Sequence, residues 1–232
     1  MNIIITGASK GIGYAIAEIF AANGHNLYLT SKTASSLKAA TATLQQQFPS
    51  VVIDSFPADL SVKSDVSNFS KWCLEKTNPD ILVNNAGYFV PGKLQDEADG
   101  QLEQQLNTNL FSAYHLTRDL LPSMLATGAG HIFNICSIAS LNAYEYGGSY
   151  SISKFALLGF SKNLRLELKD SGIKVTAVCP GAVFTNSWAG SGVDPNRIME
   201  ANDIAKMIYA ATQLSPQAVV EDIVMRPQLG DL

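Results

Sequence analysis

A tyrosine and a lysine stand four residues apart in the stretch YSISK, residues 150–154. Residues four apart on a helix share one face, so the Lys154 ammonium can approach the Tyr150 phenol. A phenol normally holds its proton until the pH is near ~10, and a neighbouring cation favours the phenolate and lowers the pKa. Ser137, upstream of Tyr150, offers a hydroxyl that can reach the same point. These three residues predict a proton donor and acceptor that works near neutral pH.

A glycine-rich turn, TGASKGIG at residues 6–13, follows the first apolar run of the chain. Gly7 permits the tight turn, Gly11 lets the backbone approach a diphosphate, and Gly13 lets the next helix pack closely on the sheet. The Gly-Lys-Ser/Thr ending of a P-loop is missing from the sequence, which argues against an NTPase. We therefore predict a dinucleotide-phosphate site on this turn, formed by Gly7, Ser9, Lys10, Gly11, Ile12 and Gly13.

The second apolar run ends in LYLTSKT, residues 27–33, without the acid that would bind the ribose 2′-hydroxyl of NAD. Ser31 offers a hydroxyl at this end and Lys32 a cation, while Lys10 lies in the glycine-rich turn. Two cations can converge on a 2′-phosphate. We therefore expect NADP(H) to be preferred over NAD(H).

The elements that must position these residues are seven short apolar or β-branched runs separated by segments with helical spacing. The runs lie at residues 2–6, 26–31, 51–56, 81–85, 131–137, 174–179 and 221–225. This alternation predicts the α/β class: a doubly wound Rossmann fold with a seven-stranded, mainly parallel sheet and helices on both faces. In the absence of a linker or repeat in the sequence, we expect one nucleotide-binding domain over residues 1–232, with a substrate loop at about 182–200.

Composition sets limits on the class of protein. The 232 residues are 47% hydrophobic and 16% charged, which suits one large domain. The net charge of -4, without a basic run, predicts no nucleic-acid or membrane-surface partner, and no stretch approaches the ~18 apolar residues of a membrane span. We expect a cytoplasmic protein. The cysteines and histidines lack metal-ligand spacing, so no metal site is predicted; they are Cys73, Cys136, Cys179, His25, His115 and His131.

The motifs, taken in order, resemble those of the short-chain dehydrogenase/reductase family over residues 2 to about 185. The family's Thr-Gly-x-x-x-Gly-x-Gly corresponds to residues 6–13, its Asn-Asn-Ala-Gly to residues 84–87, and its Tyr-x-x-x-Lys to residues 150–154. A Pro-Gly pair follows the sixth strand. The resemblance implies an oxidoreductase that acts on CH-OH groups, with catalytic residues Asn109, Ser137, Tyr150 and Lys154.

The resemblance also implies further contacts with the cofactor. Asp59 would contact the adenine end, although Asp-Leu-Ser is also ordinary turn or helix-cap chemistry, and Thr185 would lie near the nicotinamide. Asn85 would brace neighbouring strands while its backbone and that of Gly87 border the nucleotide. The cofactor residues implied in this way are Asp59, Leu60, Asn85, Ala86, Gly87, Tyr150, Lys154, Pro180, Gly181, Val183 and Thr185.

A mechanism follows from the resemblance. In the reductive direction a hydride passes from the nicotinamide to a carbonyl carbon while Tyr150 protonates the developing alkoxide, and in oxidation Tyr150 is the base. Ser137 would hydrogen-bond the same oxygen, and the positive charge of oxidised nicotinamide would further favour the phenolate. Asn109, a poor choice for the middle of a helix, would hold a water that links Lys154 to solvent.

The predicted substrate is a small or medium carbonyl or alcohol compound, as for family members of the sepiapterin reductase or 3-hydroxy acid dehydrogenase type. Residues 190–192, Gly-Ser-Gly, suggest a loop that moves as a lid. The helical segments 97–126 and 149–170 carry the contacts by which many family members associate, which implies a homodimer or homotetramer. Pocket-lining candidates are Phe89, Leu141, Tyr144, Tyr146, Phe184 and Trp188.

Other functions remain open at this point. A 3-oxoacyl-acyl-carrier-protein reductase is less favoured, because the basic residues with which such reductases dock the carrier are matched by Gly128 and Ser171. A non-catalytic NADP-binding sensor or scaffold would not need the complete catalytic set. An extended nucleotide-sugar epimerase requires a larger C-terminal part, and a serine hydrolase requires a nucleophile elbow that Ser137 lacks.

Overall fold

The computed structural model describes residues 1–185, 188 and 192–232. Seven strands form one sheet, and two short strands pair separately. The bounds are β1 Asn2–Thr6, β2 Asn26–Thr30, β3 Ile53–Ser55, β4 Ile81–Asn84, β5 Gly130–Ile135, β6 Ile173–Pro180, β7 Val183–Phe184, β8 Met199–Glu200 and β9 Asp222–Met225.

The large sheet has the order β3-β2-β1-β4-β5-β6-β9, and every neighbouring pair is parallel. The predicted doubly wound sheet is therefore confirmed, and it is parallel throughout. Continuous apolar strands are typical of sheets covered on both faces, and Ile3, Ile4 and Ile5 of β1 are fully buried. Strand order reverses between β1 and β4, so the turns that follow these two strands border a crevice.

Helices cover both faces of the sheet. Their bounds are α1 Gly11–Ala22, α2 Ala34–Gln47, α3 Lys63–Lys76, α4 Gln101–Leu106, α5 Ser112–Thr127, α6 Gly148–Leu168 and α7 Ala201–Thr212. A π-turn, Asn107–Phe111, joins α4 to α5, and short 3-10 turns lie at Leu94–Asp96, Ile138–Ser140 and Pro195–Arg197. None of the helices described combines the length and apolar character needed to cross a membrane.

Two apolar cores lie on opposite sides of the sheet, because successive side chains of a strand point to opposite faces. Ile3 and Ile5 pack with residues of α1, α2 and α7, such as Phe20. Ile4 packs with residues of α3, α5 and α6, such as Phe69. These cores fix the sheet against its helices and leave the carboxyl ends of the strands free to build a site.

Candidate active site

A cleft of about 1250 Å³ opens at the carboxyl ends of the strands. Its walls are the turns that follow β1 through β6, together with α6. All of the predicted cofactor residues except Gly13 line this cleft, as do Ser137, Tyr150 and Lys154. Asn109 is buried behind the wall. The topology thus brings together residues from six separate turns.

Tyr150 and Lys154 lie one turn apart on α6 and share its inner face. Lys154 is only 5% exposed, and its Nζ donates a hydrogen bond of 2.7 Å to the carbonyl of Ile135 at the end of β5. The same Nζ lies 5.8 Å from the centre of the Tyr150 ring. Burial lowers the pKa of Lys154. The predicted proximity of the two side chains is observed.

The expected lowering of the Tyr150 pKa is wrong for the protein's own groups. Burial raises the pKa of Tyr150 above its ordinary value, and a hydrogen bond with Ser137 opposes this rise without cancelling it. The ammonium of Lys154 bonds to a backbone carbonyl and lies beside the ring, while removal of water from the phenol disfavours the charged phenolate. Tyr150 is therefore held in its protonated form.

Ser137 lies in the turn that follows β5. The strand ends at Ile135, two residues before the predicted end at residue 137. Its Oγ accepts a hydrogen bond of 3.1 Å from the amide of Ala139, and its own amide donates 3.1 Å to Ser140 Oγ. This reciprocal capping arrangement fixes the hydroxyl at the cleft wall, where it is 8% exposed.

Asn109 lies within the π-turn, a local widening of helices that is frequent at functional sites. Its Oδ1 accepts a hydrogen bond of 2.8 Å from the Tyr88 amide, and its Nδ2 donates to Tyr88 O at 3.1 Å and to Ser153 Oγ at 2.9 Å. Asn109 thus ties the segment after β4 to α6. A Cβ on Gly87 would lie 3.1 Å from Asn109 Oδ1 and 3.5 Å from Lys154 Nζ, so a side chain at this position would crowd both groups.

The glycine-rich turn forms a cradle in which Gly7 and Gly11 bring bare backbone to the cleft beside Ser9, Lys10 and Ile12. Gly7 and Gly11 have φ of +63° and +58°, values that favour glycine. A Cβ on Gly13 would collide with the carbonyl oxygen of Gly7, which explains the close approach of α1. Asn85 Nδ2 braces the turn by donating 2.9 Å to Thr6 O and 3.2 Å to Gly7 O.

Thr6 is a site residue that the sequence analysis treated only as part of a motif. Its Oγ1 accepts hydrogen bonds from the amides of Asn85 at 2.9 Å and Ala86 at 2.8 Å. These bonds join the turns after β1 and β4 across the crevice. Its position at the head of the glycine motif is the one signal that could have singled it out.

Lys32 and Asp59, predicted as separate cofactor contacts, form an ion pair of 2.8 Å at the cleft edge. Burial opposes ionisation of Asp59, but hydrogen bonds from Lys32 and Ser61 outweigh it, and the pKa of Asp59 is lowered. Ser61 donates to Asp59 Oδ1 from its amide at 3.1 Å and its hydroxyl at 2.7 Å, so the turn interpretation of Asp59 holds. Lys32 remains exposed at the rim.

The residues present fit a nicotinamide dinucleotide. Ser31 Oγ lies on the cleft wall, buried and without a hydrogen-bond partner among the described residues. Such a hydroxyl is costly unless something bonds to it. Lys10 and Lys32 line the same cleft, and the backbone exposed at Gly7 and Gly11 can receive the diphosphate.

The opposite end of the cleft has aromatic walls. The Phe89 ring meets the Tyr150 ring edge to face at 4.7 Å. Phe89, Tyr144 and Trp188 line the cleft, whereas the other predicted lining residues, Leu141, Tyr146 and Phe184, lie outside its wall. Of the predicted Gly-Ser-Gly lid, Gly190 and Ser191 lie outside the described residues.

The C-terminal tail is a wall that the sequence analysis missed. Arg226, Asp231 and Leu232 line the cleft, and Arg226 forms an ion pair with Asp231. Arg197 holds the tail by donating hydrogen bonds to the carbonyls of Leu229, Gly230 and Asp231 at 3.3, 3.0 and 3.3 Å. No local pattern in the tail marks these long-range contacts.

Comparison with known proteins agrees with this geometry. The family model for short chain dehydrogenases matches residues 1–195. The sepiapterin reductase of Chlorobaculum tepidum is 35% identical over 239 residues, covering 99% of this chain and 97% of the relative.

Solved structures are similar over nearly the whole chain. The alcohol dehydrogenase of the archaeon Thermococcus sibiricus, complexed with 5-hydroxy-NADP, superposes with a TM-score of 0.91 at 27% identity, covering 100% of this chain and 98% of that one. The L-sorbose reductase of Gluconobacter frateurii, complexed with NADPH and L-sorbose, gives a TM-score of 0.89 at 26% identity, covering 96% and 94%.

Proposed function

Because the chain belongs to the short-chain dehydrogenase/reductase family, we propose that it is an NADP(H)-dependent enzyme that interconverts a small or medium carbonyl compound and its alcohol. Members of this family are oxidoreductases that act on CH-OH groups with a nicotinamide cofactor. One observation carries the proposal: Tyr150 and Lys154 share the cleft face of α6, and Ser137 lines the same cleft.

The protein's own residues supply the proton. The nicotinamide, when bound, supplies or accepts the hydride. Tyr150 donates its proton to the oxygen of the carbonyl substrate, and Ser137 holds that oxygen in line. Burial keeps the pKa of Tyr150 raised, so the phenol carries its proton at neutral pH and is ready for carbonyl reduction. Asn109 and Lys154 form the inner end of the proposed route by which the proton is replaced.

The preference for NADP(H) is supported by three features of the rim. Ser31 offers a buried hydroxyl that has no partner in the described part of the chain, and Lys10 and Lys32 supply positive charge along the same cleft. Lys32 is 75% exposed, so its side chain can turn from Asp59 to a phosphate. Charge-assisted bonds to a 2′-phosphate are stronger than those to a hydroxyl.

For the substrate, we propose a compound of the sepiapterin or 3-hydroxy acid type. The 35% identity to a sepiapterin reductase supports the first. The aromatic side chains Phe89, Tyr144 and Trp188 offer flat apolar surfaces to a ring or an alkyl chain.

A homodimer or homotetramer is part of the proposal. Apolar side chains on α5 and α6 remain exposed, among them Tyr114, Phe155 and Leu166. The rings of Tyr114 and Phe160 meet at 5.6 Å, so the two helices present one connected apolar surface. Light scattering on the wild type and on Phe155→Glu tests this assignment: we expect an oligomer that the charged variant weakens, and a wild-type monomer would refute it.

Turnover on a panel of free carbonyl compounds tests the enzymatic function. The panel contains sepiapterin, L-sorbose and free and carrier-bound 3-oxo compounds, each followed by the loss of NADPH absorbance. We expect turnover on at least one free compound and a loss of about 10²–10⁴-fold with Tyr150→Phe. Turnover on carrier-bound compounds alone would favour the acyl-carrier-protein reductase. Tight NADPH binding without turnover on any compound would favour the sensor or scaffold.

A further inference from the structure

The segment after β4 contacts the start of α6, the helix that carries Tyr150. We call residues 92–97 the latch segment. The Gly92 amide donates a hydrogen bond of 3.0 Å to the carbonyl of Tyr146. Lys93 Nζ lies 5.4 Å from the centre of the Tyr146 ring, a cation–π contact. The third contact is made by Glu97 at the end of the segment.

Glu97 caps α6 from a distant part of the chain. The Ser149 amide donates 2.7 Å to Glu97 Oε1, and the Ser149 hydroxyl donates to Glu97 Oε2. The first amides of a helix have no acceptor within the helix, and an oxygen that accepts from them stabilises that end. The Ser149 side chain is fully buried, so without Glu97 its amide and hydroxyl would lose these partners in a place closed to water.

The backbone around the start of α6 is shaped to receive the Glu97 carboxylate. Gly148 has φ of +41°, and a Cβ there would collide with Glu97 Oε1 and lie 2.7 Å from the Gly92 carbonyl oxygen. Tyr146 has φ of +62°, uncommon for a residue with a side chain. Such a conformation persists when surrounding contacts hold it, and here the Gly92 hydrogen bond and the Lys93 contact do so.

The latch bears directly on the proton donor. Ser149 is the residue before Tyr150. Phe89 lies three residues before the latch segment, and its ring packs against the Tyr150 ring. We propose that Glu97 is a positioning residue: by hydrogen bonding to Ser149 it fixes the first turn of α6 and so sets the Tyr150 phenol against Ser137. The effect on turnover rests on the proposed function, whereas the effect on the helix start does not.

Three variants distinguish the effect of the Glu97 hydrogen bonds from the effect of its charge and from the effect of losing any carboxylate in this segment. Glu97→Ala removes both acceptors, and Glu97→Gln keeps an acceptor for the Ser149 amide. Asp96→Ala is the matched control, because Asp96 is an exposed neighbouring carboxylate with no side-chain hydrogen bond to any described residue. For the panel compound that the wild type reduces, we expect Glu97→Ala to lower kcat about tenfold or more. The Kd for NADPH should stay within about twofold, and Glu97→Gln should keep kcat within about threefold of wild type.

Hydrogen exchange followed by mass spectrometry tests the latch without any substrate. We expect faster exchange in the peptide spanning residues 148–154 for Glu97→Ala, and wild-type exchange for Glu97→Gln and Asp96→Ala. Ser149→Ala, which keeps the amide bond and loses the hydroxyl bond, should lie between these limits and covers the case in which Glu97→Ala does not fold.

The two readouts can fail separately. Equal exchange for Glu97→Ala and Asp96→Ala would overturn the latch even if the enzyme is active. Loss of protection in Glu97→Gln equal to that in Glu97→Ala would show that charge, and not hydrogen bonding, holds the helix, and would also overturn it. Faster exchange with no turnover by the wild type on any panel compound would support the latch and refute the enzymatic function.

Discussion

The proposed role of Tyr150 depends on its burial and on Ser137 and Lys154, which line the cleft with it. Its pKa is raised by loss of water, which keeps the proton on the phenol, and in the proposed reaction a substrate oxygen takes that proton. The Ser137 hydroxyl acts in the other direction: by hydrogen bonding it favours the phenolate form of Tyr150 and lowers the pKa. The balance suits a group that must release a proton in one step and regain it afterwards.

Replacing Tyr150 with Phe tests the acid. We expect NADPH binding to stay close to wild type and turnover to fall by about 10²–10⁴-fold, the range that general acid catalysis contributes. Tyr144→Phe is the matched control, since Tyr144 also lines the cleft and burial raises its pKa to about 12. NADPH consumption, followed by stopped-flow or steady-state kinetics, measures the turnover of both variants. Equal losses of turnover in the two variants would contradict the assignment of Tyr150 as the acid.

Replacing Lys32 with Asp tests the cofactor preference. We expect the Kd for NADPH to rise by about tenfold or more, because a like charge would face the 2′-phosphate, and the Kd for NADH to change by less than about threefold. Loss of the Asp59 pair affects both cofactors alike. Lys38→Asp makes the same charge change on α2, away from the cleft walls, and should leave both affinities unchanged. Fluorescence titration measures both Kd values. Equal increases in the Kd for NADPH and the Kd for NADH in Lys32→Asp would contradict the assignment of Lys32 to the phosphate site.

Residue types and local spacing were enough to select the glycine cradle and the Tyr150–Lys154 pair, because both depend on neighbours in sequence. The Lys32–Asp59 ion pair could not be predicted in the same way. It depends on β2 and β3 lying side by side, so that their carboxyl ends bring the two side chains to one point. The direction of the Tyr150 pKa was missed because sequence does not report how much water a phenol keeps.

At the scale of elements, the proposed cofactor site requires α1 to approach β1 closely enough to offer its amides to a diphosphate. Gly13 makes this approach possible, because a side chain would strike the Gly7 carbonyl. The shape of the crevice after β1 therefore depends on the position of α1 as much as on the conformation of the turn.

Gly13→Ala tests this placement. We expect the free energy of unfolding to fall by about 1–3 kcal/mol from overpacking, with weaker NADPH binding because α1 is displaced. Gly159→Ala is the matched control: Gly159 also lies within a helix, and an added Cβ would meet nothing within 4 Å. That control should be neutral or stabilise by up to about 1 kcal/mol. Urea unfolding distinguishes the two, and equal stabilities would contradict the proposed collision.

Elements were predicted well where their apolar pattern was strong and less well where geometry changes inside a helix. The long segment 97–126 reads as one helical run, yet the structure divides it into α4, the π-turn and α5. Asn109 in that turn bonds to Tyr88 and Ser153 at once. Those partners come from other parts of the fold, so the extra residue of the π-turn leaves no mark on the local periodicity.

At the scale of the whole molecule, a buried histidine couples stability to pH. His131 Nε2 lies 2.7 Å from Thr176 Oγ1, and its ring stacks on Phe133 at 3.9 Å between centres. Burial, aided by the charge of Lys174, lowers its pKa from 6.5 to about 3. As pH falls, the unfolded chain therefore takes up this proton first. The contribution of His131 is complete above about pH 6.5 and is lost between there and about pH 3.

His131→Gln should remove this dependence. Between about pH 7 and about pH 5 we expect the wild type to lose about 2 kcal/mol more of its unfolding free energy than the variant does. Urea unfolding at the two pH values measures the difference. His115→Gln, at a much less buried histidine, should behave like the wild type; parallel losses in wild type and His131→Gln would contradict the assignment.

The fold class was predictable because strand and helix patterns alternate along the whole chain. The path of the C-terminal tail was not. Arg197 holds it through three backbone carbonyls, and a carbonyl oxygen is offered by every residue, so the sequence carries no sign of which ones will be used.

The bonds from Asn85 and Ala86 to Thr6 carry a kinetic consequence. They join the first strand to a turn made much later in synthesis, so a growing chain exposes the glycine cradle long before its other wall exists. Closing such a long loop is an unfavourable entropic step that local structure cannot replace. A dinucleotide would therefore recognise only chains that have already brought these distant turns together, and would shift the balance towards the finished state by mass action without guiding the route to it.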